Sequence, residues 1–418
     1  MNVDKSTFCA APWFQIKNTS LGNYCSCCEI DHNKSNFVGN KDYAWPNHLP
    51  QQWNSSEYVQ YLRTELTAGH RLPECHKCWS KESAGQQSLR QTINATVANG
   101  RDFDSSWLRS YFRKKQDYFQ DLLVSADVQV TNLCNFGCVM CDPGSSSHLY
   151  RRWRQDQDHP AIKKQLTIMP DGYLDQVRET YISRQNYDLL QHILDQSPRY
   201  LKIIGGEPLL DQQLMSMLAN QPPKQKAKIK LYITTNGSQD LCAAQERLLG
   251  YQEIFWIVSL ESVGRLQDYV RKGSVWSDIE SNIERYIAAY GRKNLYIAYV
   301  MQSLTLLGLP SLLAWAKQRD VPVATSLLVE PDCLGLKSLP TEMKSRLVDQ
   351  LKNALIYSIP LTLQDPASIN IAGLCDLVES TQHDKQSLQD LRKWLDWYDP
   401  EQQWREIIPE WLPYFETQ

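Results

Sequence analysis

The chain has 418 residues, long enough for two or three domains, and 42% of them are apolar, so a sizeable core is available. Its formal net charge of -3 argues against a protein whose main work is coating nucleic acid or an anionic membrane. Its most apolar stretch, Leu304 to Ala316, is broken by Gly308 and Pro310 and is too short to span a bilayer. Met1 to Lys5 lacks a basic segment leading into an apolar one, so no secretory signal is read there and a cytoplasmic setting is expected.

In a reducing compartment the 12 cysteines are not expected to form disulfides. Cys242, Cys333 and Cys375 stand alone and read as small buried hydrophobes. The others fall in two groups, Cys9, Cys25, Cys27, Cys28, Cys75 and Cys78, then Cys134, Cys138 and Cys141, and grouped cysteines read as metal or iron–sulfur ligands.

Residues 1–100 are loop-rich, with one helix predicted from Ser55 to Ala68, where Tyr58, Tyr61, Leu62 and Leu66 share a face and Gly69 is the stop. A weak core studded with cysteines calls for another source of stability, which a bound cluster supplies. Residues 101–123 are read as a connector. Over 124–330 strands alternate with helices. Strands are expected at Val128–Thr131, Tyr200–Ile204, Lys228–Thr234, Glu253–Ser259, Leu295–Met301 and Val321–Leu328. Helices are expected at Ser147–Gln155, Tyr187–Gln196, Gln212–Asn220, Ala243–Gly250, Val275–Tyr290 and Ser311–Arg319. This alternation implies an α/β domain with a parallel sheet, either doubly wound or an incomplete barrel. In both, ligands sit beyond the carboxyl ends of the strands. Residues 331–418 read as helical, with helices at Glu342–Ala354 and Ser387–Tyr398, and carry Trp394, Trp397, Trp404, Trp411 and Tyr414. A packed C-terminal cap is the preferred reading of these aromatics, and a substrate or partner surface the alternative.

Cys134, Cys138 and Cys141 follow the first predicted strand of the α/β domain with the spacing Cys-x3-Cys-x2-Cys. Three thiolates leave one iron of a four-iron cluster open for chemistry, whereas a fourth would close it. A structural zinc ion wants four ligands, and His148 is the nearest candidate to complete such a set. After the next four strands come Gly205-Gly206-Glu207-Pro208, then Thr235-Asn236-Gly237, then Ser259-Leu260-Glu261-Ser262 with Tyr269-Val270-Arg271-Lys272-Gly273-Ser274 behind it, then Val300-Met301-Gln302-Ser303. Paired glycines let backbone approach a ligand closely, and Arg presents a bidentate fork to carboxylates. A Gly-x-Gly-x-x-Gly fingerprint after a first strand is missing, which argues against a dinucleotide-binding protein.

Taken in this order, the motifs resemble the radical S-adenosylmethionine (radical SAM) superfamily over roughly residues 124–330. The resemblance implies a partial (β/α)6 barrel and a [4Fe-4S] cluster on Cys134, Cys138 and Cys141. It also implies SAM held by Met140, Gly205, Gly206, Glu207, Asn236, Ser259, Glu261, Arg271 and Gln302. Glu207 would receive the methionyl ammonium, and Arg271 would approach the SAM carboxylate. Glu261 stands where the family more often has Asp, and Thr305 where many members have Asn.

Cys9-Ala10-Ala11-Pro12-Trp13, Gly22, Tyr24-Cys25-Ser26-Cys27-Cys28 and Cys75-His76-Lys77-Cys78-Trp79 resemble the twitch or SPASM-type auxiliary-cluster module of the same superfamily, placed before the barrel. That resemblance implies a second [4Fe-4S] cluster on Cys9, Cys75, Cys78 and one of Cys25, Cys27 or Cys28, with Cys28 preferred and Cys27 the near alternative. A four-cysteine zinc knuckle is the competing reading. The implied activity is reductive cleavage of SAM to a 5′-deoxyadenosyl radical that abstracts hydrogen from a peptide or protein, giving a crosslink, an epimer or an oxidised side chain. A small-molecule dehydrogenase acting on a sugar or aminocyclitol is the runner-up, and a non-catalytic zinc or electron-transfer protein the rival of another class. An electron donor such as flavodoxin or ferredoxin is implied as partner, with no nucleic acid and no membrane. Glu330, Asp332 and Cys333 follow the last strand and are further substrate-facing candidates.

Overall fold

The computed structural model describes residues 6–31, 34–43, 47–83, 87–98, 123–328, 330–355 and 371–416. The expected connector lies outside them except for residue 123, as do Met1 to Lys5 and Gly85. The strands are β1 (Gln15–Asn18), β2 (Tyr24–Cys25), β3 (Ser125–Gln129), β4 (Gly137–Cys138), β5 (Tyr200–Ile204), β6 (Lys230–Thr235), β7 (Glu253–Ser259), β8 (Arg271–Lys272), β9 (Leu295–Met301) and β10 (Val323–Leu327). They form an 8-stranded sheet in the order β10-β9-β7-β6-β5-β3-β1-β2 and a 2-stranded ribbon of β4 and β8.

From β3 to β10 the strands of the large sheet lie side by side in chain order and all run parallel. A doubly wound sheet reverses its strand order at a switch point. This sheet does not, and its sequential order is that of a partial (β/α)6 barrel. One face is dry because the apolar residues alternate: Leu201, Ile203, Leu231, Ile233, Ile254, Trp256 and Val258 are buried against Leu189, Leu190, Ile193, Leu214, Ile279, Ile283 and other helix residues. Each such leucine or isoleucine contributes about 1.5–3 kcal/mol by leaving water. The residues between them, Tyr200, Lys202, Tyr232, Phe255 and Ser259, are only half-buried and line the opposite face.

The first strand of the barrel runs over Ser125–Gln129, earlier than the expected Val128–Thr131. Buried Asp127 interrupts its apolar run and masks it in the sequence. It ends where the Asn18 side chain continues the ladder: Asn18 Nδ2 donates to the Gln129 carbonyl at 2.9 Å, and Gln129 N donates to Asn18 Oδ1 at 2.8 Å. Helices Pro160–Ile168 and Tyr173–Ile182 fill a segment in which none was expected.

The N-terminal residues are more ordered than their composition suggests. β1 pairs parallel with β3, so they extend the barrel sheet itself. Helices His76–Ser83 and Leu89–Ala98 join Glu57–Thr67, and Phe8, Ala10, Phe14, Tyr58, Leu62, Leu66, Ile93 and Val97 make a second core. The His76–Ser83 helix buries only Cys78 and Trp79, too little apolar periodicity to be read from sequence. Two buried arginines tie this core together. Arg63 donates to the carbonyls of Pro12 and Asn54 at 2.7–3.1 Å. Arg90 donates to the Phe8 carbonyl at 2.6 Å and to both oxygens of Glu82 at 2.7 and 2.9 Å. The C-terminal region is helical, with Thr341–Leu355, Ile371–Ser380 and Lys385–Tyr398.

Candidate functional site

The loop after β3 carries the cysteine triad and is pinned at nearly every residue. Leu133 N donates to Thr131 Oγ1 at 3.0 Å, Cys134 N to Ser147 Oγ at 3.2 Å, and Phe136 N to Cys134 Sγ at 3.4 Å. Buried Phe136 and Val139 anchor it to the main core. Pairing of β4 with β8 sets Cys138 opposite Arg271. Cys138 is buried, and Cys134 and Cys141 are half-buried. Burial pushes the Cys138 thiol up to about 12, Arg271 pulls it back, and Cys134 and Glu261 add to the rise. Burial also holds Cys141 well above its ordinary value, with Asp142, Cys138 and Cys134 adding to it. All three thiols lie on this one short loop, and a bound cation is what would favour their thiolates.

Gly205 and Gly206 both have positive φ, 87° and 52°. A Cβ on Gly206 would lie 2.4 Å from the Leu133 carbonyl oxygen, so only glycine lets this turn sit against the triad loop. Glu207 follows, fully buried. Its Oε1 accepts from the Thr235 hydroxyl at 2.9 Å and Leu209 N at 3.1 Å, and its Oε2 accepts from Asn236 N at 2.6 Å. Burial pushes its carboxyl up to about 7 against these donors. Asn236 reaches across to the triad loop, donating to Asn135 Oδ1 at 2.9 Å. The motifs after β3, β5 and β6 are therefore one hydrogen-bonded unit.

Glu261 and Arg271, read separately in the sequence, form a buried ion pair. Arg271 Nη2 donates to Glu261 Oε1 at 2.9 Å, Nε donates to Oε2, and Nη1 faces Cys138 Sγ at 3.7 Å. Gln302, just beyond β9, is fully buried with neither side-chain polar atom partnered among the described residues, and the Ser303 hydroxyl is likewise buried and unpartnered. Such atoms are costly unless a ligand or water meets them. Ser259 ends β7 half-buried, and Met140 sits half-buried beside the core between Cys138 and Cys141. His148 lies with its ring against Gly137. Burial, then Arg151, Arg152 and Lys272, holds its pKa down. Cys333 is buried, while Asp332 is exposed and pairs with Lys337.

Sequence reasoning left out the supports of this loop. Trp394 Nε1 donates to the Val139 carbonyl at 3.1 Å. Tyr398 Oη lies 3.0 Å from the carbonyls of both Gly137 and Tyr269. Asp142 Oδ1 accepts from Gly144 N at 2.7 Å and Tyr173 Oη at 2.8 Å. No local motif marks these residues; the only signal was the aromatic density of the C-terminal helix, and the packed-cap reading of it fits these contacts.

The N-terminal thiols divide in two. Burial holds Cys27 well above its ordinary value, and Cys28, Cys9, Cys75 and Cys78 add to the rise. Burial pushes Cys9 up to about 12, and Cys78 is among the groups facing it. Cys9, Cys27 and Cys75 also pack on the same small core. Cys28, the expected fourth ligand, is exposed, stands beside Cys27, and has Lys17, Asp127, Lys202 and Glu29 as its charged neighbours. Adjacent residues leave a turn in different directions, so a choice between Cys27 and Cys28 needed coordinates. Among the described residues no three His, Cys, Asp or Glu side chains converge as on a single metal ion.

No protein family and no curated protein matches the sequence. Solved structures do. One is anSMEcpe with bound AdoMet and the Cp18Cys peptide, at 14% identity over 56% of this chain and 59% of that one, TM-score 0.35. Another is Streptococcus suis SuiB bound to the precursor peptide SuiA, at 14% identity over 68% and 59%, TM-score 0.37. A third is TYW1 with a lysine-pyruvate adduct, at 15% identity over 55% and 71%, TM-score 0.30. The chain spans 59% of the length of the first two and is similar to structures that carry AdoMet, a peptide or both.

Proposed function

We propose that the chain is a radical SAM enzyme with two [4Fe-4S] clusters, one open for SAM and one auxiliary. The observation that carries this is the joining of the Cys134–Cys141 loop to Gly206, Glu207, Asn236 and Arg271 in one hydrogen-bonded unit at the carboxyl ends of the strands. The residues suit the groups. Three thiols on one loop can bind three irons and leave one open. Glu207 has used three of its roughly four acceptor positions, which leaves one for an ammonium. Buried Gln302 and Ser303 offer unpartnered polar atoms.

When bound, a reduced cluster and SAM supply homolysis of a sulfur–carbon bond, giving methionine and a 5′-deoxyadenosyl radical that takes hydrogen from substrate. The chain's own residues do the rest. Arg271 keeps positive charge beside Cys138 and is held there by Glu261, so its fork serves the cluster thiolate and Glu261 rather than the SAM carboxylate. Glu207, Asn236 and Gln302 orient SAM, with Ser259 and Met140 beside it. Cys9, Cys27, Cys75 and Cys78 hold the auxiliary cluster, with Cys27 in the place assigned to Cys28 from sequence. The substrate is a peptide, and the electron comes from a low-potential carrier such as flavodoxin or ferredoxin.

The test is SAM cleavage by anaerobically reconstituted protein under dithionite, read as 5′-deoxyadenosine. Wild type should produce it, and Cys138→Ala should not. Wild type with its full complement of iron and no 5′-deoxyadenosine would overturn the proposal.

A further inference from the structure

On the face of the sheet away from the helices, one row of register runs Cys25, Lys17, Asp127, Lys202, Tyr232, Phe255 across β2, β1, β3, β5, β6 and β7. Asp127 is 6% exposed, and its Oδ1 is buried with no hydrogen-bond partner among the described residues. A lysine stands in register on each side of it, and neither forms an ion pair within 4.0 Å there. The row continues into a stacked pair, Tyr232 and Phe255, with ring centroids 4.5 Å apart and planes at 7°. The strands carrying Asp127 and Lys202 lead directly into the Cys134 loop and the Gly205–Gly206 turn. The row therefore lies on the strands whose carboxyl ends carry the candidate site.

We propose that this row is the substrate-recognition site, and that it takes a carboxylate with a neighbouring N–H donor. The carboxylate goes to Lys202, the N–H to Asp127 Oδ1, and adjoining apolar or aromatic surface to Tyr232 and Phe255. Two cations to one anion leave the row with an excess positive charge at half-buried positions, where charge selects its partner strongly. An acidic side chain within a peptide and a free amino acid share this chemistry. The inference rests on the enzyme reading above but concerns substrate alone.

The experiment uses full-length reconstituted protein and three probes: a labelled peptide with glutamates flanking one phenylalanine, its counterpart with lysines, and free glutamate. Fluorescence anisotropy should give at least about tenfold tighter binding of the acidic peptide than of the basic one. Lys202→Glu should invert that preference, and Asp127→Asn, which removes the row's one anion, should sharpen it. Inversion is a result that a merely misfolded variant does not produce. Competition by free glutamate at concentrations matching the peptide would assign the site to a small amino acid; weak competition would assign it to a peptide. Equal binding of both peptides to wild type, or the same preference in Lys202→Glu, overturns the site. SAM cleavage by wild type is scored separately: cleavage without charge preference retires this row and leaves the enzyme, and charge preference without cleavage does the reverse.

Discussion

Cys138 is fixed by a strand pair, by Arg271, and by Trp394 and Tyr398, which hold its neighbours Val139 and Gly137 from 255 and 261 residues away in the chain, whereas the N-terminal thiols are held by a small core of their own through Arg63 and Arg90. The first region is a loop clamped between distant elements, with Cys134, Cys138 and Cys141 on it. The second is a small core of its own, on which Cys9, Cys27 and Cys75 pack. The difference teaches that two cysteine groups in one chain draw their rigidity from different sources, one from distant walls and one from local packing.

The comparison breaks most sharply at the two buried supports. Arg90→Ala takes the cation from partly buried Glu82, leaving it only Ser88, and Trp394→Ala empties a fully packed ring site; each should cost about 3–5 kcal/mol in thermal or denaturant unfolding. Arg90→Ala should release iron from the N-terminal site and Trp394→Ala from the triad, so iron released from the same site by both would end the distinction. Tyr398→Phe keeps the ring and loses its hydroxyl contacts with the triad loop, for about 1–2 kcal/mol, with the N-terminal site unaffected.

A pH titration sharpens the picture of the open site. Burial raises Glu207 from 4.5 to about 7, so the folded state holds this proton more tightly than the unfolded state does. Iron-free protein should therefore lose stability as pH rises from about 4.5 to about 7, the contribution being complete below that window. Glu207→Gln should flatten this part of the curve in urea unfolding. The smallest effect belongs to an exposed pair remote from both sites: Arg154→Ala, which breaks the contact with Asp175, should change stability by less than about 1 kcal/mol.

Much of the barrel was legible. β5, β7 and β9 begin and end where apolar alternation predicts, because their buried faces are uninterrupted. β3 was misplaced because Asp127 sits on its open face, and the small N-terminal strands and helices were missed because four-residue strands and polar helices carry almost no periodicity. At the candidate site, residue types at strand ends were readable one motif at a time. Their partnerships were not: that Arg271 turns to Glu261 and Cys138, and that Glu207 braces the β6 loop, are facts of long-range packing.

The most direct test of the account is iron per chain after anaerobic reconstitution, comparing wild type with two variants. One replaces Cys134, Cys138 and Cys141 by alanine, the other Cys9, Cys27, Cys75 and Cys78. Two four-iron clusters predict about eight irons in wild type and about four in each variant. Wild type that binds zinc in place of iron, or a variant of either set that keeps all its iron, would contradict it.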